Sequence, residues 1–187
     1  MSNKLHGYQK HKVEGHQAIA HFSRNGLTIC ALEDIVGKQF DITIIGTTFI
    51  EPNKRSAIFE SGVQTGSQEA YTAYFKVSSV QKWEKTEQSF AYNLFSIGEP
   101  QLSNQEVAPK IQVSIKNTSY QSYTDVPVIA VVYNQEDNAI AASQTYIDQT
   151  GQDQESTAYF SWPQPFGEAV SRIEIIPRVD PFKKRLE

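Results

Sequence analysis

The sequence predicts an all-β fold, built as two antiparallel β-sandwiches in tandem, and three observations lead there. Apolar residues recur with period two, and helical spacing is scarce. Polar and Pro-bearing turn signals separate the apolar runs at short intervals, as in sandwiches. One pattern also occurs twice: Thr47-Thr48-Phe49-Ile50 closes an apolar β-pattern, and Gln144-Thr145-Tyr146-Ile147 closes another about a hundred residues later. Each copy is preceded by an apolar segment and a polar turn, Ile29 to Leu32 with Glu33-Asp34 and Val128 to Tyr133 with Asn134 to Asn138. Each is followed by a strand with an aromatic tip, Ala57-Ile58-Phe59 and Ala158-Tyr159-Phe160-Ser161-Trp162.

In chain order, Leu27 to Leu32 gives an apolar strand carrying Cys30. Phe40, Ile42 and Ile44 share one face, and the phase slips at Ile44-Ile45-Gly46, the signature of a bulge or a bend between sheets. Tyr71, Ala73, Phe75 and Val77 alternate with polar residues, so one face meets a core and the other water. A second slip falls at Leu94-Phe95, after Phe90 and Tyr92. Ile111, Val113 and Ile115 alternate with Gln112, Ser114 and Lys116. Val126 to Tyr133 is apolar on both parities, which suits a central strand, with Pro127 expected near its start. Turns are predicted at Glu51-Pro52-Asn53, Asn134 to Asn138, Thr150-Gly151-Gln152 and Pro163 to Gly167. Alternation stops at Val80 and resumes at Phe90. The expected organisation is a flexible tail over 1–14, a first sandwich over 15–82, a short connection, and a second sandwich over 90–181.

The 187 residues suffice for two such domains of roughly 80 to 95 residues, each with a small core. An apolar content of 39% with 20% charged residues excludes a strongly disordered chain. The net charge of −4 argues against nucleic acid, which needs a concentrated positive surface. Lys183-Lys184-Arg185 is the only dense basic cluster and reads as a solvated tail. No run of apolar residues is long enough to span a membrane. Met1 to Glu14 lacks the apolar core of a signal peptide, so either the protein stays inside the cell or an export segment is missing. The single cysteine excludes an intramolecular disulfide.

The second half also resembles a known module through Asn117-Thr118-Ser119, Val128 to Tyr133, Asn138 to Ile147, Phe160-Ser161-Trp162-Pro163-Gln164-Pro165-Phe166 and Ile173-Glu174-Ile175-Ile176-Pro177-Arg178. The first half resembles its partner module through Thr47 to Asn53, Ala57 to Gly62 and Thr65-Gly66. Together they are similar to the tandem immunoglobulin-like (FxLYD-type) regions of uncharacterised bacterial proteins that are often membrane-anchored. The resemblance covers about residues 15 to 181. It implies two immunoglobulin-like sandwiches and a cell-envelope setting. The family normally carries an N-terminal membrane helix and a longer opening to its first domain. This chain has no such helix, and its Gly15 to Gly26 is short.

Candidate sites are few. His6, His11, His16 and His21 recur every five residues, which reverses face on a strand and turns about 140° on a helix, so no metal site is expected. Cys30 has no basic neighbour in sequence and reads as a core residue. Glu33-Asp34, Glu136-Asp137 and Asp153 to Glu155 lack the ligand order of an EF-hand and read as solvated turns. Trp162-Pro163-Gln164-Pro165-Phe166 reads as the exit of a strand. Asn117-Thr118-Ser119 matches a glycosylation sequon and reads as a turn.

No Gly-x-Ser-x-Gly, P-loop, His-Glu-x-x-His or dinucleotide fingerprint occurs, so a non-enzymatic, cofactor-free protein is expected. The segment Asn117 to Asp125 joins two strands and is rich in Tyr, Ser and Asn, a composition suited to recognition. Tyr120 and Tyr123 are the binding candidates, with Trp83 a third at the domain junction. The expected role is an interaction or spacer module whose partner is a protein or glycan at the cell surface. The alternative is a carbohydrate- or metal-dependent enzyme or binding domain on a β-sandwich.

Overall fold

The computed structural model describes residues 17–23, 29–33, 44–45, 55–61, 72–75 and 94–179. The expected tail over 1–14, the connecting stretch with Trp83, the turn at 51–53, and His6, His11 and His16 lie outside these residues. The chain divides into two compact units, Met1–Ser79 and Val80–Glu187. Every described element is a β-strand, every pairing is antiparallel, and there is no helix among the described residues.

In the first unit, β1 (Gln17–Ser23) pairs with β4 (Arg55–Ser61), from Gln17 opposite Ser61 to Ser23 opposite Arg55. His21 faces Ala57 across this ladder. β2 (Ile29–Glu33) lies between β3 (Ile44–Ile45) and β5 (Thr72–Phe75), with Cys30 opposite Ile44 on one side and Phe75 on the other. Ala57 is buried.

The second unit contains β6 (Phe95–Ile97), β7 (Gln101–Ser103), β8 (Lys110–Asn117), β9 (Tyr123–Tyr133), β10 (Ala139–Thr150), β11 (Glu155–Ser161) and β12 (Arg172–Pro177). One sheet runs β10-β9-β12, and the other runs β11-β8-β6 with β7 also on β8. Counted from β1 and from β8, the two units pair their strands in one order. The first strand joins the fourth, and the second sits between the third and the fifth.

Alternation explains the core of the second unit. Ile111, Val113 and Ile115 of β8, Ala158 and Phe160 of β11, and Val126, Val128, Ala130 and Val132 of β9 form one buried cluster with Ile147 and Ile175. Two sheets thus share one core, an arrangement consistent with a β-sandwich. Each fully buried Val or Ile contributes about 1.5–3 kcal/mol. From Ile129 to Tyr133 the odd residues of β9 are buried too, Ile129 and Val131 completely, as the doubly apolar sequence of this central strand requires.

β9 starts earlier than the sequence indicates, at Tyr123, so Pro127 lies inside a central strand. The pairing tolerates it because a residue in an antiparallel strand directs its N–H and C=O to the same neighbour. The Pro127 carbonyl accepts from Arg178 N at 2.8 Å, just beyond the end of β12. The missing donor therefore falls at the margin of the β9–β12 ladder, and the long β9–β10 ladder is unaffected.

Candidate functional site

The loops of the second unit gather at the two ends of its strands. One end holds the β8–β9 loop, the β10–β11 turn and the start of β6, because Thr150 faces Tyr123 and Phe95 faces Asn117 in register. Tyr120 and Tyr123 belong to this end.

Asn117 organises it. Its side chain is fully buried at the end of β8. Its backbone N donates to Gln154 O and its carbonyl accepts from Asp153 N, both at 2.9 Å, which fixes the β10–β11 turn. Its Oδ1 accepts from Ser119 N at 3.0 Å and from Ser119 Oγ at 2.7 Å, closing an Asx-type turn. Its Nδ2 donates to Gln121 O at 2.7 Å and to Thr150 O at 3.4 Å. Gln121 N in turn donates to Ser119 Oγ at 3.2 Å, and Thr118 N donates to Leu94 O at 2.8 Å. Thus the amide that matches a sequon in the sequence is enclosed, with both of its polar atoms engaged.

The two tyrosines of the segment have different environments. Tyr120 stands 90% exposed at the tip. Tyr123 is 8% exposed and belongs to the core, its ring centroid 5.7 Å from that of Phe95. Its hydroxyl donates to Gln121 Oε1 at 3.2 Å and lies 3.4 Å from Ser119 Oγ. A left-handed residue within the strand accounts for this inward turn. Simple alternation from Val126 and Val128 would place Tyr123 outside, but Asp125 adopts a left-handed φ of 50° and shifts the phase. Trp83 is outside the described residues, so the segment offers one exposed ring on a braced loop. Thr150 lies beneath the loop, and its Oγ1 is buried without a hydrogen-bond partner.

The opposite end is held by charge. Arg172 opens β12 and pairs with Asp137 in the β9–β10 turn and with Glu174 at 3.3 Å. Its guanidinium lies 3.7 Å from the centroid of the Tyr133 ring. The Tyr133 hydroxyl donates to Glu174 Oε2 at 2.9 Å. Burial, and then the adjacent Glu174 carboxylate, push the Tyr133 pKa well above its ordinary value. Asn134 Nδ2 donates to Glu168, and Asn134 Oδ1 accepts from Glu136 N and Asn138 N at 3.0 and 2.9 Å. Asp137 takes a φ of 61°, a conformation that Asp and Asn tolerate better than most residues. Sequence reasoning missed this cluster, although Arg172 and Glu174 stand two apart on one strand face.

The remaining motifs are structural. Trp162 is buried, donates Nε1–H to Ala142 O at 3.1 Å and meets Phe166 edge-on at 5.1 Å. The acidic turns sit apart, Glu136-Asp137 beside Arg172 and Asp153 on Lys116 at 3.0 Å. Among the described residues no group of three or more His, Cys, Asp or Glu side chains could hold a metal ion, and no helix is long and apolar enough to cross a membrane. No protein-family model, curated protein or solved structure matches this chain.

Proposed function

We propose that the chain is a pair of tandem immunoglobulin-like β-sandwiches serving as a non-enzymatic interaction module of the cell envelope, which docks a protein partner through the β8–β9 loop. The shared pairing order of the two units supports the tandem reading, and the common core of two sheets supports the sandwich in the second. The resemblance to FxLYD-type regions supplies the envelope setting.

The exposure of Tyr120 on a loop braced by buried Asn117 carries the docking assignment. A large aromatic ring held out on a rigid frame loses little conformational entropy on binding, and the exposed Ser122 beside it offers an adaptable hydrogen bond. Tyr123 acts from below by fixing Gln121.

Co-sedimentation with bacterial envelope fragments tests this reading. Wild-type protein should pellet with untreated fragments and stay in solution with protease-treated ones. Tyr120→Ala should lose about tenfold in affinity with an unchanged thermal midpoint, the scale expected of an aromatic anchor. Equal binding by Tyr120→Ala overturns the loop assignment, and no pelleting at all leaves a spacer as the reading.

A further inference from the structure

We infer that the solvent face of the β11-β8-β7 sheet is a binding platform for a neutral oligosaccharide, centred on Tyr159. This surface is separate from the Tyr120 loop and does not depend on the role assigned to it. Tyr159 is 63% exposed on β11, flanked by the buried Ala158 and Phe160 that point into the core. It faces Gln112 of β8, which in turn faces Gln101 of β7. Residues opposite one another in antiparallel strands share a face. A ring and two exposed amides therefore form one straight row across three strands. At about 4.8 Å between strands the row spans about 10 Å, the length of a short oligosaccharide.

The flanking rows carry hydroxyls. Thr157 faces Ser114 on one side, and Ser161 faces Lys110, which faces Ser103, on the other. Gln101 Nε2 donates to Glu99 O at 3.3 Å, which holds that amide in place and leaves its oxygen as an acceptor. Beside Ser114 sits Gly98, whose N donates to Ser114 O at 2.9 Å. A Cβ at Gly98 would lie 2.4 Å from Ser114 Oγ, so the hydroxyl occupies the space a side chain would take.

Charge selects the class of ligand. The central row holds no ionisable carboxylate or amine. At the margins, Lys116 has Glu155 opposite it in register and Asp153 at 3.0 Å, while Lys110 stands between Ser161 and Ser103. One lysine, Lys110, beside an uncharged row gives an anionic polymer little to hold. A sugar chain fits the row: the ring's C–H face stacks on Tyr159, and vicinal hydroxyls meet the paired donor and acceptor of each amide. Strand-borne groups also keep their geometry better than loop-borne ones.

NMR titration of the full chain with hexasaccharide probes tests the assignment: a β-1,4-linked glucose hexamer, an α-1,4-linked glucose hexamer and a β-1,4-linked N-acetylglucosamine hexamer, with heparin as the anionic comparison. At least one neutral hexamer should shift the amides of β11, β8 and β7. Tyr159→Ala should weaken that binding about tenfold and Gln112→Ala by a smaller factor, while Tyr120→Ala leaves it unchanged. Both altered side chains are exposed, so folding serves as an internal control through the unshifted core resonances. Binding of heparin alone, equal affinity of Tyr159→Ala, or no shift with any of the three hexamers overturns the proposal.

Discussion

The two ends of the second unit immobilise their loops with opposite chemistries. At the β8–β9 end a neutral, fully buried amide, Asn117, reaches three segments of backbone through hydrogen bonds. At the other end a cation, Arg172, gathers Asp137, Glu174 and the Tyr133 ring, with side chains from 25% to 63% exposed in its ion pairs. A buried amide costs desolvation once and then acts at short range, so its removal strands backbone groups that water cannot reach. A half-solvated ion network is worth less per contact and is sensitive to salt. The loop that presents Tyr120 is held by the first kind, which keeps its geometry independent of ionic conditions.

The largest expected effect separates these two devices. Asn117→Ala should lower the unfolding free energy by about 3 kcal/mol, because the Thr150 and Gln121 carbonyls and Ser119 N lose their partner together. Urea unfolding at low and high salt should give the same loss. Arg172→Ala should cost about 1–2 kcal/mol at low ionic strength and clearly less in 1 M salt, with the cation–π contact accounting for the residue. A salt-independent Arg172 effect, or a salt-dependent Asn117 effect, would break the comparison.

A pH series sharpens it. The Tyr133 pKa is raised in the folded protein, so the folded state keeps the phenolic proton after the unfolded chain has lost it. Stability from this group is complete below about pH 10 and declines as pH rises past that value, by at most about 1.4 kcal/mol per unit. Tyr133→Phe should remove that alkaline slope, measured by denaturation between pH 9 and about 11. The smallest effect is a gain: Thr150→Val replaces a buried, unpartnered hydroxyl with a methyl of similar size and should raise stability by about 1 kcal/mol. A loss would mean that the hydroxyl has a partner, for which a buried water is the obvious choice.

Much of the fold was legible because strand burial is written in period two. Ile111, Val113 and Ile115 fall on the core face of β8 as their alternation predicts, and the turn at Asn134 to Asn138 follows from its polar residues. Tyr159 was equally legible as an outward residue, since it alternates with Phe160. The site was less so. Tyr120 and Tyr123 look alike in a sequence of small polar residues, and only the left-handed Asp125 decides that one ring enters the core while the other meets solvent. A local pattern does not record a phase shift made by one backbone angle.

By itself the sequence determined the all-β class, the positions of most described strands of the second unit, and the absence of known catalytic signatures, because these depend on local periodicity and residue type. The tertiary structure alone decided which groups meet. Asn117 finds Thr150 and Arg172 finds Asp137, contacts 33 and 35 residues apart in the chain, only after the strands have taken their register. Register is set by the pairing of whole strands, so long-range polar partners are fixed by the assembled sheets.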